Sequence, residues 1–423
     1  MNKSDTLLLN PSSSVLFATF SAWENGKRLP TNGSVEPLRD FLVPRVRKLI
    51  LIDQLVPGGK DVMPRIEAYT NGNTRCAQYR SSWFVRVMKP LLVWTNRPAT
   101  VITFKIRDFL SVIDEARRER GTFDYLIGLE SINAIAGIVL RKFGKVKKVI
   151  YYVSDYSPNR YANLVFNAVY LWLDRYAATH ADFIWDVSQA MQPARIAAGL
   201  DVKKSAPVIH VANGLFPDQI KANPSSGIHP HALVFMGTLG PENGPDVAIE
   251  TLALVRKNYP DAILHMIGGS AKSFAWLLPK IESLGLQRAV IHHGFVPRAA
   301  DMAKIMRTCG IGLAPYRAIP GSPRYYGDAG KIRAYCASGL PVVSSEVPPL
   351  GKEVADKGAA IVCPDNPDDF ADAISHIFSD RNLYNNLRAN AIKFARTNTW
   401  ENQFTHAFRR MHELKKAEIT NNA

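Results

Sequence analysis

Short apolar segments separated by helix-length segments recur along this chain, and they constrain its fold more than any other feature. In the N-terminal half they stand at residues 15–20, 48–52, 124–129, 148–153, 183–188 and 208–211. In the C-terminal half they stand at 232–236, 262–267, 289–293, 311–316, 341–343 and 360–362. Helix-like stretches lie between them, near 35–42, 109–120 and 246–256. This alternation predicts an α/β chain built on doubly wound parallel sheets.

The two series are separated by residues 216–230, a segment rich in Pro, Ser, Gly and Asn that has the composition of a linker. We therefore predict two Rossmann-like domains that face each other across a cleft, over residues 1–215 and 216–398. A last helix-like stretch, residues 399–423, begins near Trp400. Ligands of such sheets bind outside the carboxyl ends of the strands, so the loops that follow the strands are where functional residues are expected.

The chain of 423 residues has a formal net charge of +15, which favours an anionic partner. It has no zinc-finger or RNA-recognition signature, so a phosphorylated ligand or an anionic membrane surface is favoured over nucleic acid. Charge that serves only solubility is the alternative. No run of 18 apolar residues predicts a membrane-spanning helix, and residues 1–14 lack the pattern of a signal peptide. Four scattered cysteines fit a reducing compartment, and we expect a cytoplasmic protein or one peripheral on the inner face of the membrane.

Residues 327–343 predict a loop, a short helix and a buried strand. Asp328 can cap the helix, Gly330 lets a ligand approach the backbone, and Gly339 can adopt the left-handed conformation that ends a helix. Lys331 falls in the first helical turn, where the helix dipole disfavours a cation. A cation in that place suggests an anion to be held, and a diphosphate is the obvious one. The alternative is an ordinary helix–strand junction with a solvated lysine.

An ordered set of motifs in the C-terminal half resembles the GT-B glycosyltransferases that use nucleotide-sugar donors. They stand at residues 236–239 (MGTL), 267–269 (IGG), 293–296 (HGFV), 312–316 (GLAPY), 331–335 (KIRAY) and 339–343 (GLPVV). The resemblance implies the GT-B fold, a UDP-sugar rather than a GDP-sugar donor, and a glycan or polyprenyl-linked glycan acceptor. It also implies that the helix over 399–423 crosses back to the first domain. The residues expected to bind the donor are Gly237, Thr238, Phe295, Val296, Tyr316, Gly330, Lys331 and Ala334.

Departures from the family pattern narrow the choice of mechanism. Thr238 and Asn243 stand near the places where the large retaining group has an Arg and a Lys, and Tyr326 and Ala334 stand where it has two glutamates. The inverting branch typified by the membrane-associated glucuronosyltransferase of xanthan assembly is a better match, because its lysine-containing helix also lacks the glutamates. A retaining group 1 enzyme with degenerate glutamates and an inactive protein that binds glycan or nucleotide stay open as alternatives.

The same resemblance indicates a catalytic residue in the first domain. Residues 151–156 resemble a Ser-Asp pair that follows a strand, in which the aspartate takes a proton from the acceptor, and the corresponding residue is Asp155. Glu130, within a similar Glu-Ser segment after the preceding strand, is the reserve candidate. A turn or a helix N-cap is the alternative role for Asp155. No Asp-x-Asp pair occurs in the chain, so we predict transfer without a metal ion or other cofactor.

Two further features are open to a functional interpretation. Residues 79–94 interleave aromatic and basic side chains, which predicts either a membrane-interface segment or an ordinary amphipathic element. Arg298 and Arg324 are additional cations near the predicted donor site, and we expect them to lie at the surface rather than to bind the ligand.

Overall fold

The computed structural model describes residues 9–24, 27–28, 33–56, 63–71, 73–78, 87, 98–223 and 227–421. The chain divides into two compact units. Unit 1 comprises Met1–Ala212 together with Gln403–Ala423, and unit 2 comprises Asn213–Asn402. The segment predicted to contact a membrane, residues 79–94, lies outside the described residues apart from position 87.

Unit 1 is built on a mixed sheet. Its strands are β1 (Ser14–Ser21), β4 (Lys48–Leu55), β5 (Arg65–Thr70), β6 (Asn73–Gln78), β7 (Phe123–Leu129), β8 (Val146–Val153), β9 (Phe183–Asp186) and β10 (Val208–His210). In the described residues their order is β10-β9-β8-β7-β1-β4-β5-β6. All neighbours pair in parallel except β5 and β6, which add an antiparallel edge beside β4. This antiparallel edge was not predicted from the sequence.

Helices connect and cover the strands of unit 1. They are α1 (Val35–Leu42), α2 (Pro98–Arg118), α3 (Ser131–Lys142), α4 (Leu164–His180) and α5 (Met191–Ala197). The helix α14 (Trp400–Asn421) ends the chain, and from Gln403 onward it belongs to unit 1. Its Phe408 ring stacks on Phe41 of α1 at 6.0 Å between centroids and meets Trp185 of β9 edge-on at 5.2 Å. Aromatic packing therefore joins the last helix to the core of unit 1.

A short hairpin follows β1 and is pinned to the sheet. Strands β2 (Trp23–Glu24) and β3 (Lys27–Arg28) pair antiparallel. The buried carboxylate of Asp53, on β4, accepts hydrogen bonds from the Trp23 indole at 2.8 Å and from the Arg28 guanidinium at 2.7 Å. Burial raises the pKa of Asp53, and the two donors oppose that shift.

Unit 2 contains a parallel sheet with the order β13-β12-β11-β14-β15-β16 in the described residues. The strands are β11 (Ala232–Met236), β12 (Ile263–Ile267), β13 (Val290–Gly294), β14 (Ile311–Ala314), β15 (Val342–Ser345) and β16 (Ala360–Cys363). The helices around it are α6 (Pro245–Val255), α7 (Ala271–Phe274), α8 (Leu278–Ser283), α9 (Ala299–Met306), α10 (Gly330–Ala337), α11 (Pro349–Asp356), α12 (Pro367–Ser379) and α13 (Arg381–Thr397). Two apolar clusters fill the space between the sheet and its helices. The predicted α/β class with parallel Rossmann-like sheets is confirmed.

The direction of winding reverses once within each sheet. In unit 1, β1 lies between β4 and β7, and in unit 2, β11 lies between β12 and β14. Loops that leave two neighbouring strands in opposite directions open a crevice at the carboxyl ends of those strands, and this is where doubly wound sheets bind ligands. The crevice of unit 2 therefore lies between the ends of β11 and β14.

Candidate active site

Glycines shape the crevice at the end of β11. Gly237 directly follows that strand with a φ of 137°, and Gly268, after β12, has a φ of 121°. A Cβ atom on Gly268 would lie 2.2 Å from the carbonyl oxygen of Gly237. A Cβ atom on Gly237 would lie 3.3 Å from Cε and 3.4 Å from Nζ of Lys331. Only glycine fits this conformation and spacing, so the loop after β11 passes directly beside the lysine side chain.

Lys331 extends from the first turn of α10 into this crevice. Its side chain is buried, with 6% of the residue exposed, and Nζ has no hydrogen-bond partner. Nζ lies 4.3 Å from the ring centroid of Phe235 on β11 and 4.3 Å from that of Tyr316 after β14. The two aromatic faces attract the ammonium group but accept no conventional hydrogen bond from it. Its N–H donors are therefore left for a ligand.

Burial lowers the pKa of Lys331 well below its usual range, and the charge of Arg324 lowers it further, while Glu242 opposes the shift. The Arg324 guanidinium lies 5.8 Å from the same Tyr316 ring, and its buried Nε has no hydrogen-bond partner. An Nη atom is 3.9 Å from the Glu242 carboxylate. The Arg324 side chain is 39% exposed, as expected for a residue at the surface, and its charge acts on Lys331.

The second additional cation, Arg298, has a side chain that faces solvent. Its side chain is 78% exposed and pairs with Asp301 on α9 at 2.5 Å, as expected for a surface residue.

The position of α10 is fixed by a tyrosine four residues after Lys331. The hydroxyl of Tyr335 accepts a hydrogen bond from the Met236 backbone N–H at 2.8 Å and donates one to the Leu313 carbonyl at 3.0 Å. Those groups belong to β11 and β14, on the two sides of the crevice. The Tyr335 ring lies so close to Gly312 that a Cβ atom there would be 2.5 Å from it. Helix α10 is thus connected to the same two strands that form the crevice.

We expect Tyr335→Phe to destabilise unit 2 without removing a group that faces the crevice. The substitution leaves the Met236 amide as a buried donor without an acceptor, which costs about 1–3 kcal/mol. Thermal unfolding monitored by circular dichroism should show a melting temperature lower by several degrees. A melting temperature equal to that of the wild type would show that the hydroxyl bridge contributes nothing to stability.

The ends of α10 agree only in part with the sequence prediction. Gly339 adopts the left-handed conformation, with a φ of 72°, as predicted. Asp328 does not cap the helix, because the N-cap residue is Ala329 and no side chain caps it. Instead, the buried Asp328 carboxylate pairs with Arg333 at 3.0 Å through both oxygens and accepts the backbone N–H of Asn213 at 2.8 Å. The first amides of α10 therefore have no side-chain acceptor, and a Cβ atom on Gly330 would meet nothing within 4 Å.

A cavity of about 370 Å³ lies next to Ala334, one turn after Lys331 on α10. Met236 at the end of β11 and Met302 on α9 contribute apolar surface to it, and Arg307 and Lys304 contribute cationic groups. Ala334 occupies a position where a longer side chain would fill part of this space. The volume lies in the range of small-molecule sites, near its lower end.

The other predicted donor-site residues follow the strands β11, β13 and β14 of unit 2. Thr238 is exposed after β11, and its hydroxyl accepts a hydrogen bond from Asn243 at 2.6 Å. Phe295 follows β13 and is 76% exposed, whereas Val296 packs against the apolar cluster beside α10. Tyr316 is buried, which raises the pKa of its hydroxyl. The largely exposed ring of Phe295 could therefore stack on a planar group.

In unit 1, Glu130 stands at the carboxyl end of β7 in an unusual backbone conformation. Its φ is 65° and its ψ is 164°, a region that is populated almost only by glycine and costs about 1–3 kcal/mol for other residues. The Ser154 hydroxyl, after β8, donates to the Glu130 carboxylate at 3.0 Å. Burial raises the pKa of Glu130, Arg160 lowers it, and Asp155 raises it again. Strain and an elevated carboxyl pKa together are typical of functional positions.

Asp155 follows β8 and lies in the same cluster of charges. Its side chain is 54% exposed and pairs with Arg160 at 2.9 Å. It does not cap a helix, since the N-cap of α4 is Asn163. The charges of Glu130 and Asp155 raise the pKa of Arg160 against the effect of its burial. The structure thus brings the two predicted catalytic carboxylates together with one shared cation.

Among the described residues, no three His, Cys, Asp or Glu side chains converge to hold a metal ion. Metal-independent transfer stays a prediction that requires a direct test. In the same part of the chain, no helix is both long and apolar enough to cross a membrane.

The two units together define a protein of the GT-B fold. The structure aligns with the crystal structure of Anabaena Alr3699/HepE in complex with UDP at a TM-score of 0.65 and 17% identity, over 95% of this chain and 100% of that one. It aligns with sucrose-phosphate synthase from Thermosynechococcus elongatus at a TM-score of 0.68 and 13% identity, over 96% and 100%. At these identities the likeness establishes the fold alone.

Sequence relatives point to one family of that fold. Residues 230–380 match the family model described as "Glycosyl transferases group 1". D-inositol 3-phosphate glycosyltransferase of Jonesia denitrificans is 31% identical over 225 residues, 50% of this chain and 49% of that protein. The putative glycosyltransferase YtcC of Bacillus subtilis is 25% identical over 195 residues, 44% and 46% of the two chains. The chain thus spans about half the length of the curated relatives it matches.

Proposed function

We propose that this protein transfers a sugar from a nucleoside-diphosphate donor, with UDP favoured, to a glycan or polyprenyl-linked glycan acceptor. The observation that carries the proposal is Lys331, a buried ammonium group without a hydrogen-bond partner in the crevice between β11 and β14. The open N-terminus of α10 adds backbone donors at the same place, because its first amides have no side-chain acceptor. A diphosphate supplies the charge and the acceptor oxygens that this arrangement lacks.

The departing nucleoside diphosphate accumulates negative charge as the bond to the sugar breaks. Lys331 and Arg324 would stabilise that charge, and the buried Lys331 would act the more strongly because little water screens it. The retaining group has an Arg and a Lys near the positions of Thr238 and Asn243, which carry no charge. Arg324 would supply a cation in their place. UDP is favoured as the nucleotide because it is the ligand of the similar Anabaena structure.

The cavity beside Ala334 would receive the nucleoside. We expect Ala334→Phe to fill this space, while Ala334→Ser should keep it open as the matched control. At a UDP concentration of about 100 times Kd, binding should stabilise the wild type by about 2.7 kcal/mol. The phenylalanine variant should lose this gain in a thermal-shift measurement, and equal stabilisation of both variants would exclude the cavity as the nucleoside site.

For the acceptor we propose an inverting reaction in which Asp155 takes the proton of the attacking hydroxyl, with Glu130 in reserve. The reaction requires a base because the acceptor hydroxyl is a poor nucleophile until it loses its proton.

We also propose that the reaction needs no metal ion. Full turnover in excess chelator would support this part, and loss of turnover that magnesium or manganese restores would refute it.

One observation favours a retaining reaction as the second candidate, namely the match of residues 230–380 to the group 1 family. The anomeric configuration of the product, read by proton NMR immediately after transfer, separates the two reactions. An inactive binding protein is the third possibility. Slow hydrolysis of a nucleotide-sugar by the wild type, lost in Asp155→Asn, would argue against it.

The first experiment is a thermal-shift panel of nucleotides and nucleotide-sugars on the whole protein, because a ligand that binds only the folded state raises its melting temperature. We expect UDP and at least one UDP-sugar to stabilise the protein more than GDP does. A protein that no nucleoside diphosphate stabilises would contradict the proposed function.

A further inference from the structure

Helix α4 exposes an apolar face that the described residues leave uncovered. Leu164 is 84% exposed, Val165 73%, Val169 49% and Trp172 57%, and we call these four residues the α4 face. Residues 165, 169 and 172 recur at helical spacing, so they form one stripe on the helix surface. The residues of α4 that pack inward are Asp174, Ala177 and Ala178, farther along the helix.

The sequence of α4 makes this exposure unusual for a water-facing surface. No Asp, Glu, Lys or Arg occurs between residues 161 and 173, although surface helices normally carry charges on their outer side. Contiguous exposed apolar surface of this kind marks an interaction site. Tyr161 just before the helix is 40% exposed, and Tyr and Trp are the side chains enriched where protein meets both lipid and water.

Helix α2 of unit 1 also exposes apolar side chains. In α2, Val101 is 43%, Ile102 50% and Ile106 37% exposed, and Lys105 stands exposed among them. The charges of Lys105 and Arg160 both act on Glu130, so the helix α2 and the loop before α4 flank that carboxylate. Apolar side chains interspersed with cations thus border the carboxylate cluster.

The distribution of charge indicates what covers this surface. Unit 1 contains 33 of the 52 Lys and Arg residues and 20 of the 37 Asp and Glu residues, so it carries +13 of the formal charge of +15. A second copy of unit 1 would bring the same positive charge and repel the first. An anionic lipid surface attracts basic proteins over a Debye length and accepts apolar side chains at its interface.

We propose that the α4 face docks unit 1 onto an anionic lipid bilayer. The contact lies on a different element from residues 79–94, which the sequence analysis favoured. Binding to lipid is independent of the transfer reaction. Only its consequence, that a polyprenyl-linked acceptor would reach Asp155 from the bilayer surface, rests on the proposed function.

The test is flotation of the full chain with vesicles of phosphatidylcholine, with and without phosphatidylglycerol. The wild type should float with the anionic vesicles, and Val165→Asn combined with Trp172→Ser should reduce the bound fraction at least tenfold. The matched control is Phe143→Ser combined with Val202→Asn. These are an aromatic residue and a valine of the same unit, 78% and 53% exposed, and neither belongs to α4. The control protein should float like the wild type.

Three outcomes would overturn the proposal. The first is a wild type that does not float, and the second is an α4 variant that floats as well as the control. The third is a wild-type dimer in sedimentation that the α4 variant converts to a monomer, which would make the α4 face an interface between copies. Thermal stabilisation by UDP is measured on every variant. An α4 variant that keeps this stabilisation but does not float shows a lipid contact separate from donor binding, whereas a wild type that floats but ignores UDP refutes only the proposed function.

Discussion

Lys331→Met should weaken UDP binding by roughly 30- to 4,000-fold. The substitution keeps the length and apolar contacts of the side chain but removes its charge, and loss of one partner from a buried charge pair costs about 2–5 kcal/mol, with 1.4 kcal/mol for each factor of ten. Titration calorimetry with UDP measures the effect. Lys357→Met, the same change at an exposed lysine of unit 2, is the control and should bind like the wild type. Affinity within a few-fold of the wild type would remove Lys331 from the site.

The same substitution should make the ligand-free protein more stable. Burial lowers the pKa of Lys331 in the folded state, so between that value and the usual lysine pKa the unfolded chain binds more protons than the folded one. The stability of the wild type therefore rises with pH across this window, whereas Lys331→Met lacks that contribution. The variant should melt above the wild type at neutral pH, and the difference should shrink as the pH approaches about 10, near the usual lysine pKa. Equal melting curves at both pH values would contradict this reasoning.

Asp155→Asn should lower kcat by roughly 100- to 10,000-fold if Asp155 is the general base, with little change in UDP affinity. Glu130→Gln is the discriminating variant, because the two carboxylates share Arg160 and only one of them takes the proton. If the larger loss appears in Glu130→Gln, the roles are exchanged. Both rates are measured at saturating donor, so that changes in binding do not contribute.

The pH profile separates the two carboxylates further. Burial raises the pKa of Glu130, so a reaction that uses it as the base loses activity as the pH falls through a value above that of an ordinary glutamate. Glu130→Gln would then abolish that limb of the profile together with most of the rate. A limb that survives unchanged in Glu130→Gln would assign it to another group and leave Asp155 as the candidate.

The strands of unit 2, its helix near 246–256 and the place of Lys331 at the start of a helix were predicted from the sequence, because strand and helix periodicity and terminal glycines are local signals. It did not predict that Lys331 lies between two aromatic rings without a partner, because Phe235 and Tyr316 reach it only through the tertiary fold. Asp328 shows the same limit. Its local sequence suits a helix cap, but Arg333 lies within reach on the next turn and both side chains are buried, so the ion pair forms instead.

Fewer of the functional features of unit 1 could be predicted from the sequence pattern. The strain at Glu130 depends on a backbone conformation that no residue pattern specifies, although its position after a strand was predicted. Helix α4 was not predicted as a feature of interest, because an uncharged stretch normally indicates a buried helix. Only the folded arrangement shows that this stretch faces outward.

The hydroxyl bridge from Tyr335 to β11 and β14 has a consequence for the proposed donor site. Because α10 is already tied to both strands, its open amides and Lys331 are in place before any nucleotide arrives. The helix then needs no ordering on binding, and the entropy cost falls mainly on the ligand. Preorganisation of this kind should give a heat-capacity change no larger than the apolar area of the nucleoside accounts for, without the signature of coupled folding.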